Sequence, residues 1–270
     1  MARTFAPLRS CRVREVLAAA GSLVFWGFIV VSSVLLFPAA VLIWIVTRPF
    51  DPRTRALHQV TCFWASLYTW LNPLWRVRIV DKQLIRPGVT YVMVANHQSL
   101  VDILVLFRLF VPFCWVSKEE NFRVPLVGWN MRLNGYIPLR RGDKASALVM
   151  MDQCRATLRG ETSIMMFPEG TRSRTGEMRD FKPGAFELAR QAGSPLLPIL
   201  LEGTSKALPK RGFVLRGRSD ITVTVLPEIA VDIDDSRSAV ALAEVTRETL
   251  GRAQAEMRGA DAPGSADSLA

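Results

Sequence analysis

Histidine and cysteine are both scarce in this chain. The four cysteines, Cys11, Cys62, Cys114 and Cys154, lie far apart and form no Cys-x-x-Cys pair. That pattern excludes a disulfide framework or a zinc ribbon and reads as free thiols of a reducing compartment. No Gly-x-x-x-x-Gly-Lys-Ser/Thr occurs, so a nucleotide P-loop is excluded. No Gly-x-Ser-x-Gly occurs either, which removes the usual serine esterase. Acidic residues are few beside the basic ones, 24 against 34, leaving a net charge of +10. Such a balance suits an anionic partner: a phosphate-bearing ligand, an acidic lipid surface or nucleic acid. Nucleic acid is the weaker reading, because zinc-finger spacing and an RNP-like aromatic strand are absent and the basic residues are spread rather than striped. No internal repeat is visible.

One of the two histidines stands in Asn96-His97-Gln98-Ser99-Leu100-Val101-Asp102, directly after the apolar run Tyr91-Val92-Met93-Val94-Ala95. Histidine moves protons near neutral pH, and a carboxylate can fix its tautomer. Along one continuous helix, five residues would rotate Asp102 about 140° away from His97. The two meet only if a strand delivers His97 and a turn precedes the helix. Ser99 reads as the N-cap of a helix over 100–110, with Asp102 pointing back at the turn. The same Ser99-x-x-Asp102 spacing also reads as a capping box, in which Asp102 serves backbone N–H groups alone. Both readings stay open on this segment. The other histidine, His58, has no carboxylate motif nearby and reads as an interface or surface residue.

The N-terminus carries a second signal. Arg3, Arg9, Arg12 and Arg14 precede a nearly unbroken apolar stretch over 16–46. It exceeds the roughly 20 residues that cross a bilayer as a helix, and it is too long for a signal-peptide core. Arg48, Arg53 and Arg55 follow, so basic residues flank both ends and the positive-inside rule does not orient it. A further segment over 56–71 is rich in aromatics, among them Phe63, Trp64, Tyr68 and Trp70, which suit a membrane interface. Either one true span with an interfacial helix or a hairpin entering from one face fits the pattern.

Beyond residue 74 short strands alternate with helices, predicting an α/β fold with a central sheet flanked by helices. Strands are expected over 75–80, 90–95, 113–116, 135–139, 162–167, 196–202 and 221–226. Helices are expected over 100–110, 143–158, 185–191 and 236–257, with Gly193 as a C-cap. The tail over 259–270 is small and polar and reads as disordered.

About seventy residues after His97 comes Phe167-Pro168-Glu169-Gly170-Thr171-Arg172-Ser173, where an apolar strand runs into a loop able to present N–H groups and guanidinium forks to an anion. Between the two lie Lys118 and Gly135-Tyr136-Ile137-Pro138-Leu139-Arg140-Arg141, and after them Pro198 in an apolar strand. In order and spacing these four blocks, across roughly 75–230, resemble those of the glycerolipid acyltransferases, whose best-known members act on 1-acylglycerol-3-phosphate. The resemblance implies an N-terminal membrane-anchoring segment (1–73), an acyltransferase domain (74–258) and the tail. It implies His97 as general base and Asp102 as its partner. Glu169, Gly170, Thr171 and Arg172 would form the acceptor loop, with Arg141 and Lys118 as second candidates for the phosphate. Arg140, where the family often has an acidic residue, would add positive charge near the acceptor. The implied reaction moves an acyl group from acyl-CoA or acyl-acyl-carrier-protein to the free hydroxyl of 1-acylglycerol-3-phosphate, giving phosphatidic acid. It needs no cofactor and no metal. The expected partners are membrane lipids and the acyl donor, not nucleic acid, with the domain on the cytoplasmic face of the inner membrane. A lyso-ornithine lipid or another lysophospholipid is the alternative acceptor. A non-catalytic lipid-binding scaffold is the alternative of another class, although it would have no need of these blocks.

Overall fold

In the computed structural model, residues 7–210, 212–233 and 235–260 are described. Two helices lead, α1 (Pro7–Thr47) and α2 (Arg55–Trp70), followed by β1 (Trp75–Val80), β2 (Val92–Ala95), α3 (Val101–Phe107) and β3 (Phe113–Lys118). Next come α4 (Val127–Leu133), β4 (Ile137–Leu139), α5 (Lys144–Arg159), β5 (Ser163–Met166) and α6 (Gly184–Ala192). The chain ends with β6 (Leu196–Glu202), α7 (Thr204–Ala207), β7 (Ser219–Val225) and α8 (Ala239–Ala260).

The strands form one seven-stranded sheet in the order β1-β7-β6-β2-β5-β3-β4. From β6 to β4 every pairing is parallel, while β7 runs antiparallel to β6 and carries β1 parallel to itself. Every residue of β2 and β5 is buried, as expected of central parallel strands covered on both faces. Helices α5, α6 and α8 pack side by side against the sheet, and α1, α2 and α3 form a second group. The carboxyl ends of β6, β2, β5, β3 and β4 therefore share one edge, the usual place for a site in such sheets.

All seven expected strands are present, with ends shifted by up to two residues. Two short helices, α4 and α7, escaped the sequence reading. Helix α3 stops earlier than expected because Arg108, Leu109 and Phe110 tighten into i to i+3 hydrogen bonds and Phe110 turns left-handed at φ 51°. Gly193 does end α6 in the left-handed conformation, φ 57°. Of the expected tail, Gly259 and Ala260 continue α8, and the rest lies outside the described residues.

The reading of 56–71 needs correction. Most of α2 belongs to the core: Leu57, His58, Cys62, Trp64, Ala65 and Tyr68 are buried, and Phe63 and Trp70 keep an outward edge. His58 is not a surface residue. Its Nδ1 lies 3.0 Å from the Tyr136 hydroxyl and its Nε2 3.0 Å from the Val111 carbonyl. Burial pushes its pKa from 6.5 down to about 4, so Nε2–H donates to the carbonyl and Nδ1 accepts from the phenol. Burial likewise raises the Cys62 and Cys114 thiols to about 12, which leaves them unreactive at neutral pH.

Helix α1 has an inverted surface. Ser22, Phe25, Ser32, Ser33 and Ala40 face the protein, whereas Leu23, Val30, Val34, Leu35, Leu42 and Ile45 are exposed. Its inner side is fixed along its length. The Leu215 N–H donates to Ser22 Oγ at 2.8 Å, the Trp26 indole donates to the Phe213 carbonyl at 2.7 Å, and Ser32 Oγ meets the Tyr68 hydroxyl at 2.9 Å. Further on, the Phe37 ring lies 5.7 Å from Trp129. An apolar face of this extent marks a surface made for lipid or another partner.

Candidate active site

Strand register explains why two loops far apart in sequence meet. Val94 pairs with Met166, so His97 and Glu169, each three residues further on, leave the sheet at the same level. Asn96 anchors the first loop by extending the sheet with its side chain. Its Nδ2 donates to the Leu201 carbonyl at 2.9 Å, and its Oδ1 accepts the Leu201 N–H at 2.7 Å.

His97 is then held from four directions. Its backbone N–H donates to Glu169 Oε1 at 2.8 Å, and its carbonyl accepts the Ser173 N–H at 2.7 Å. Its ring stacks on Phe167 with centroids 3.9 Å apart and planes 10° from parallel. Its Nδ1 lies 2.7 Å from Asp102 Oδ2. That oxygen accepts two backbone N–H groups as well, so it is an acceptor and the tautomer that suits it presents Nδ1–H. That leaves Nε2 as the unprotonated nitrogen, with no protein partner among the described residues.

The two sequence readings of Asp102 turn out not to compete. The same Oδ2 also accepts the N–H groups of Gln98 at 2.6 Å and Ser99 at 2.8 Å. One oxygen thus closes the turn and fixes the imidazole. Its sister Oδ1 is buried with no partner among the described residues. Ser99 departs slightly from the expected cap: helix α3 opens one residue later, and Ser99 Oγ accepts the Val101 N–H at 3.2 Å and donates to the Leu208 carbonyl at 2.7 Å.

Glu169 is buried and faces inward. Its second oxygen accepts the Arg179 N–H at 3.3 Å. Burial raises its pKa from 4.5 to about 7, against the pull of the two N–H donors. Both oxygens are engaged by backbone, so its geometry is that of a brace between two loops and not of an open ligand contact. Gly170, at φ 68°, turns the chain, and a side chain there would press on Lys182. After that turn, the N–H groups of Thr171 and Arg172 have no protein partner among the described residues. Nor does the Arg172 guanidinium, while Lys210 Nζ donates to the Arg172 carbonyl.

The remaining two predicted residues lie further off. Lys118 ends β3, two strands from β2, and Arg141 follows β4, three strands away; at the usual strand spacing these are about 10 and 14 Å. Lys118 pairs with Glu120 at 3.0 Å on the surface. Arg141 is exposed, with no ion pair among the described residues. Arg140 does not add free charge to the site as expected, because Glu119 at 2.8 Å and Asp143 at 3.3 Å neutralise it. Two contributors went unread in the sequence. Phe167 lies inside a motif that showed nothing of its stacking, and Ser173 offered no signal for its N–H.

Comparison with known proteins places this geometry. The Acyltransferase family model matches residues 76–202. A 1-acyl-sn-glycerol-3-phosphate acyltransferase of Chlamydomonas reinhardtii is 39% identical over 186 residues, 68% of this chain and 55% of that protein. A chloroplastic 1-acyl-sn-glycerol-3-phosphate acyltransferase of Arabidopsis thaliana is 37% identical over 162 residues, 59% of this chain and 45% of that protein. The alpha 1-acyl-sn-glycerol-3-phosphate acyltransferase of Mus musculus is 32% identical over 179 residues, 65% of this chain and 62% of that protein. The chain thus spans about half the length of the curated relatives it matches. In fold it is similar to the 1-acyl-sn-glycerophosphate acyltransferase PlsC of Thermotoga maritima, with a TM-score of 0.76, 22% identity, and 91% of this chain and 98% of that one covered. The matched segment holds His97, Asp102 and the whole 167–173 loop, so the chain carries an Acyltransferase-family domain over residues 76–202.

Proposed function

We propose that the protein transfers an acyl group from an acyl thioester, acyl-CoA or acyl-acyl-carrier-protein, to the free hydroxyl of 1-acylglycerol-3-phosphate, yielding phosphatidic acid. The observation that carries this is the buried 2.7 Å contact of His97 Nδ1 with Asp102 Oδ2, which leaves Nε2 without a protein partner among the described residues, on a residue held at both backbone groups by the 169–173 loop. In this reading Nε2 takes the proton of the acceptor hydroxyl as its oxygen attacks the thioester carbonyl carbon. Collapse of the tetrahedral intermediate breaks the C–S bond, and the thiolate receives the proton back from Nε2. Asp102 stabilises the imidazolium, as the carboxylate of a hydrolase triad does. No enzyme nucleophile, metal or cofactor enters, because the alcohol itself attacks. Glu169 acts as a positioning residue through the His97 N–H.

The acceptor phosphate fits the 170–172 loop. Two unpaired N–H groups after a left-handed glycine make a small anion cradle, and the Arg172 guanidinium adds a fork for phosphate oxygens. The names of the relatives support the same acceptor. Lys118 and Arg141 serve the longer-range field of the edge, where the phosphates of a donor would also collect. The exposed face of α1 seats the protein on the membrane that supplies the acceptor.

The test is thioester release by the purified chain in the presence of 1-acylglycerol-3-phosphate, lyso-ornithine lipid and lysophosphatidylcholine, with acyl-CoA and acyl-acyl-carrier-protein in separate arms. Release that depends on the phosphate monoester is expected. Equal release with the phosphate-free lipid would remove the phosphate reading, and no release with any acceptor would remove the enzyme.

A further inference from the structure

A groove of about 1280 Å³ runs between the first half of α1, the turn from α2 to β1 and the segment before β7. Gly21, Val24 and Phe28 form one wall, Leu71 the floor, and Val214 and Arg216 the opposite wall. His97 does not line it. Even so, the groove overhangs the sheet edge that carries the site. Glu202, the last residue of β6, pairs with Thr222, so Ser219 and the residues before it project past that edge. Trp75 pairs with Ser219, so the turn before β1 projects with them. At the usual strand spacing, β1 lies about 14 Å across the edge from β2.

The segment forming the second wall is also tied to the site at its start. Ser99 Oγ donates to the Leu208 carbonyl, and Lys210 Nζ donates to the Arg172 carbonyl. Seven residues after Leu208, the Leu215 N–H is on Ser22 Oγ of α1. At the outer rim Phe213 is 68% exposed, with its ring 5.6 Å from Trp26. Leu17 and Val24, which line the groove, are themselves largely exposed. The apolar wall is therefore continuous with the face of α1 that looks outward. Arg216, at the mouth, has no acidic partner among the described residues.

We propose that this groove is the subsite for the acyl chain already carried by the acceptor lysolipid, which enters sideways from the bilayer along α1 while its phosphate reaches the 170–172 loop. The inference rests on the acceptor reading given above. Continuity with the outward face of α1 favours a membrane-resident chain over that of a soluble thioester donor.

Gly21 gives a clean probe. It is helical, and a Cβ built there meets nothing within 4 Å, so Gly21→Leu fills the groove without strain. The variant should raise the KM for 1-oleoylglycerol-3-phosphate about tenfold, the effect of displacing about two methylenes from an apolar site. The rise should shrink as the acceptor chain is shortened to hexanoyl, and the donor KM should not follow it. Val214→Trp, from the opposite wall, should show the same chain-length dependence. Independently of turnover, 1-acylglycerol-3-phosphate with a diazirine at mid-chain, added to the full chain in nanodiscs, should label peptides containing residues 17–28 or 213–217. Labelling elsewhere with normal turnover, or a KM increase confined to the donor, would overturn the groove assignment. Absent turnover with labelling retained in the groove would overturn the proposed reaction and leave the groove standing.

Discussion

The backbone N–H of His97 donates to Glu169 Oε1 at 2.8 Å across 72 positions of sequence. This bond joins the loop after β2 to the loop after β5, and it holds a carboxyl in a place where burial keeps it protonated up to about pH 7. The pH dependence follows. Between about 4.5 and 7 the native carboxyl keeps a proton that the unfolded chain has released, so stability falls as pH rises through that window. Glu169→Gln lacks this titration. The stability of the wild type relative to the variant should therefore decline over the window by roughly 3 kcal/mol at most, measured by urea unfolding in detergent at a series of pH values. The variant should also lose turnover, because its amide NH₂ faces one of the two N–H donors. A flat difference across the window would mean that Glu169 is already ionised.

His97→Ala should reduce acyl transfer by about 10² to 10⁴, the usual weight of a general base, with unfolding little changed. Asp102→Asn tests the double use of Oδ2. An asparagine oxygen can still accept the Gln98 and Ser99 N–H groups, so the turn survives with a loss of about 1 kcal/mol. It cannot hold the same tautomer of His97 equally well, so turnover should fall by 10²-fold or more. Rate and melting temperature are to be read from one preparation. Intact activity with a lowered melting temperature would leave Asp102 a cap alone.

Arg172→Ala should raise the KM for 1-acylglycerol-3-phosphate by about ten- to a hundredfold, the loss of a charged hydrogen bond. The donor KM should change little. Lys118→Ala should cost much less, since Lys118 is shared with Glu120 at the surface and lies two strands away. Arg141→Ala should act through the general field and weaken as salt is raised. If Arg141→Ala instead gives the larger and salt-independent change in acceptor KM, the phosphate belongs at the end of β4.

What could be read from the sequence was what depends on neighbours in the chain. His97 and Asp102 sit five positions apart, so a strand followed by a helix start was enough to bring them together. The strands were legible because each apolar run is short and bounded by turns. The inward turn of Glu169 depends on the pairing of Val94 with Met166, a long-range register that no local pattern encodes. The same holds for Arg140, whose charge is taken up by Glu119 from another segment. His58 was misplaced because α2 carries aromatics on both sides, and only the docked sheet reveals which side is covered.

Helix α1 should lie against one face of the membrane and not cross it. It is about 60 Å long at 1.5 Å per residue, yet it is fastened to the domain from Ser22 to Ala40. The helix runs past those contacts by about 22 Å at its start and about 10 Å at its end, each short of a hydrocarbon core of about 30 Å. Deleting the helix is a poor test, because Phe25 packs against Tyr68 and Trp75 in the core and their cover would be lost. Leu23→Lys, Val30→Lys and Val34→Lys, all on the exposed face, should together release the protein from vesicles with little change in melting temperature. Single cysteines introduced as Glu15→Cys and Pro52→Cys, with Cys11 replaced by serine, should react with an impermeant maleimide from the same side of sealed vesicles. Reaction from opposite sides would make α1 a true span and would require its contacts with Leu215 and Trp129 to open in the membrane.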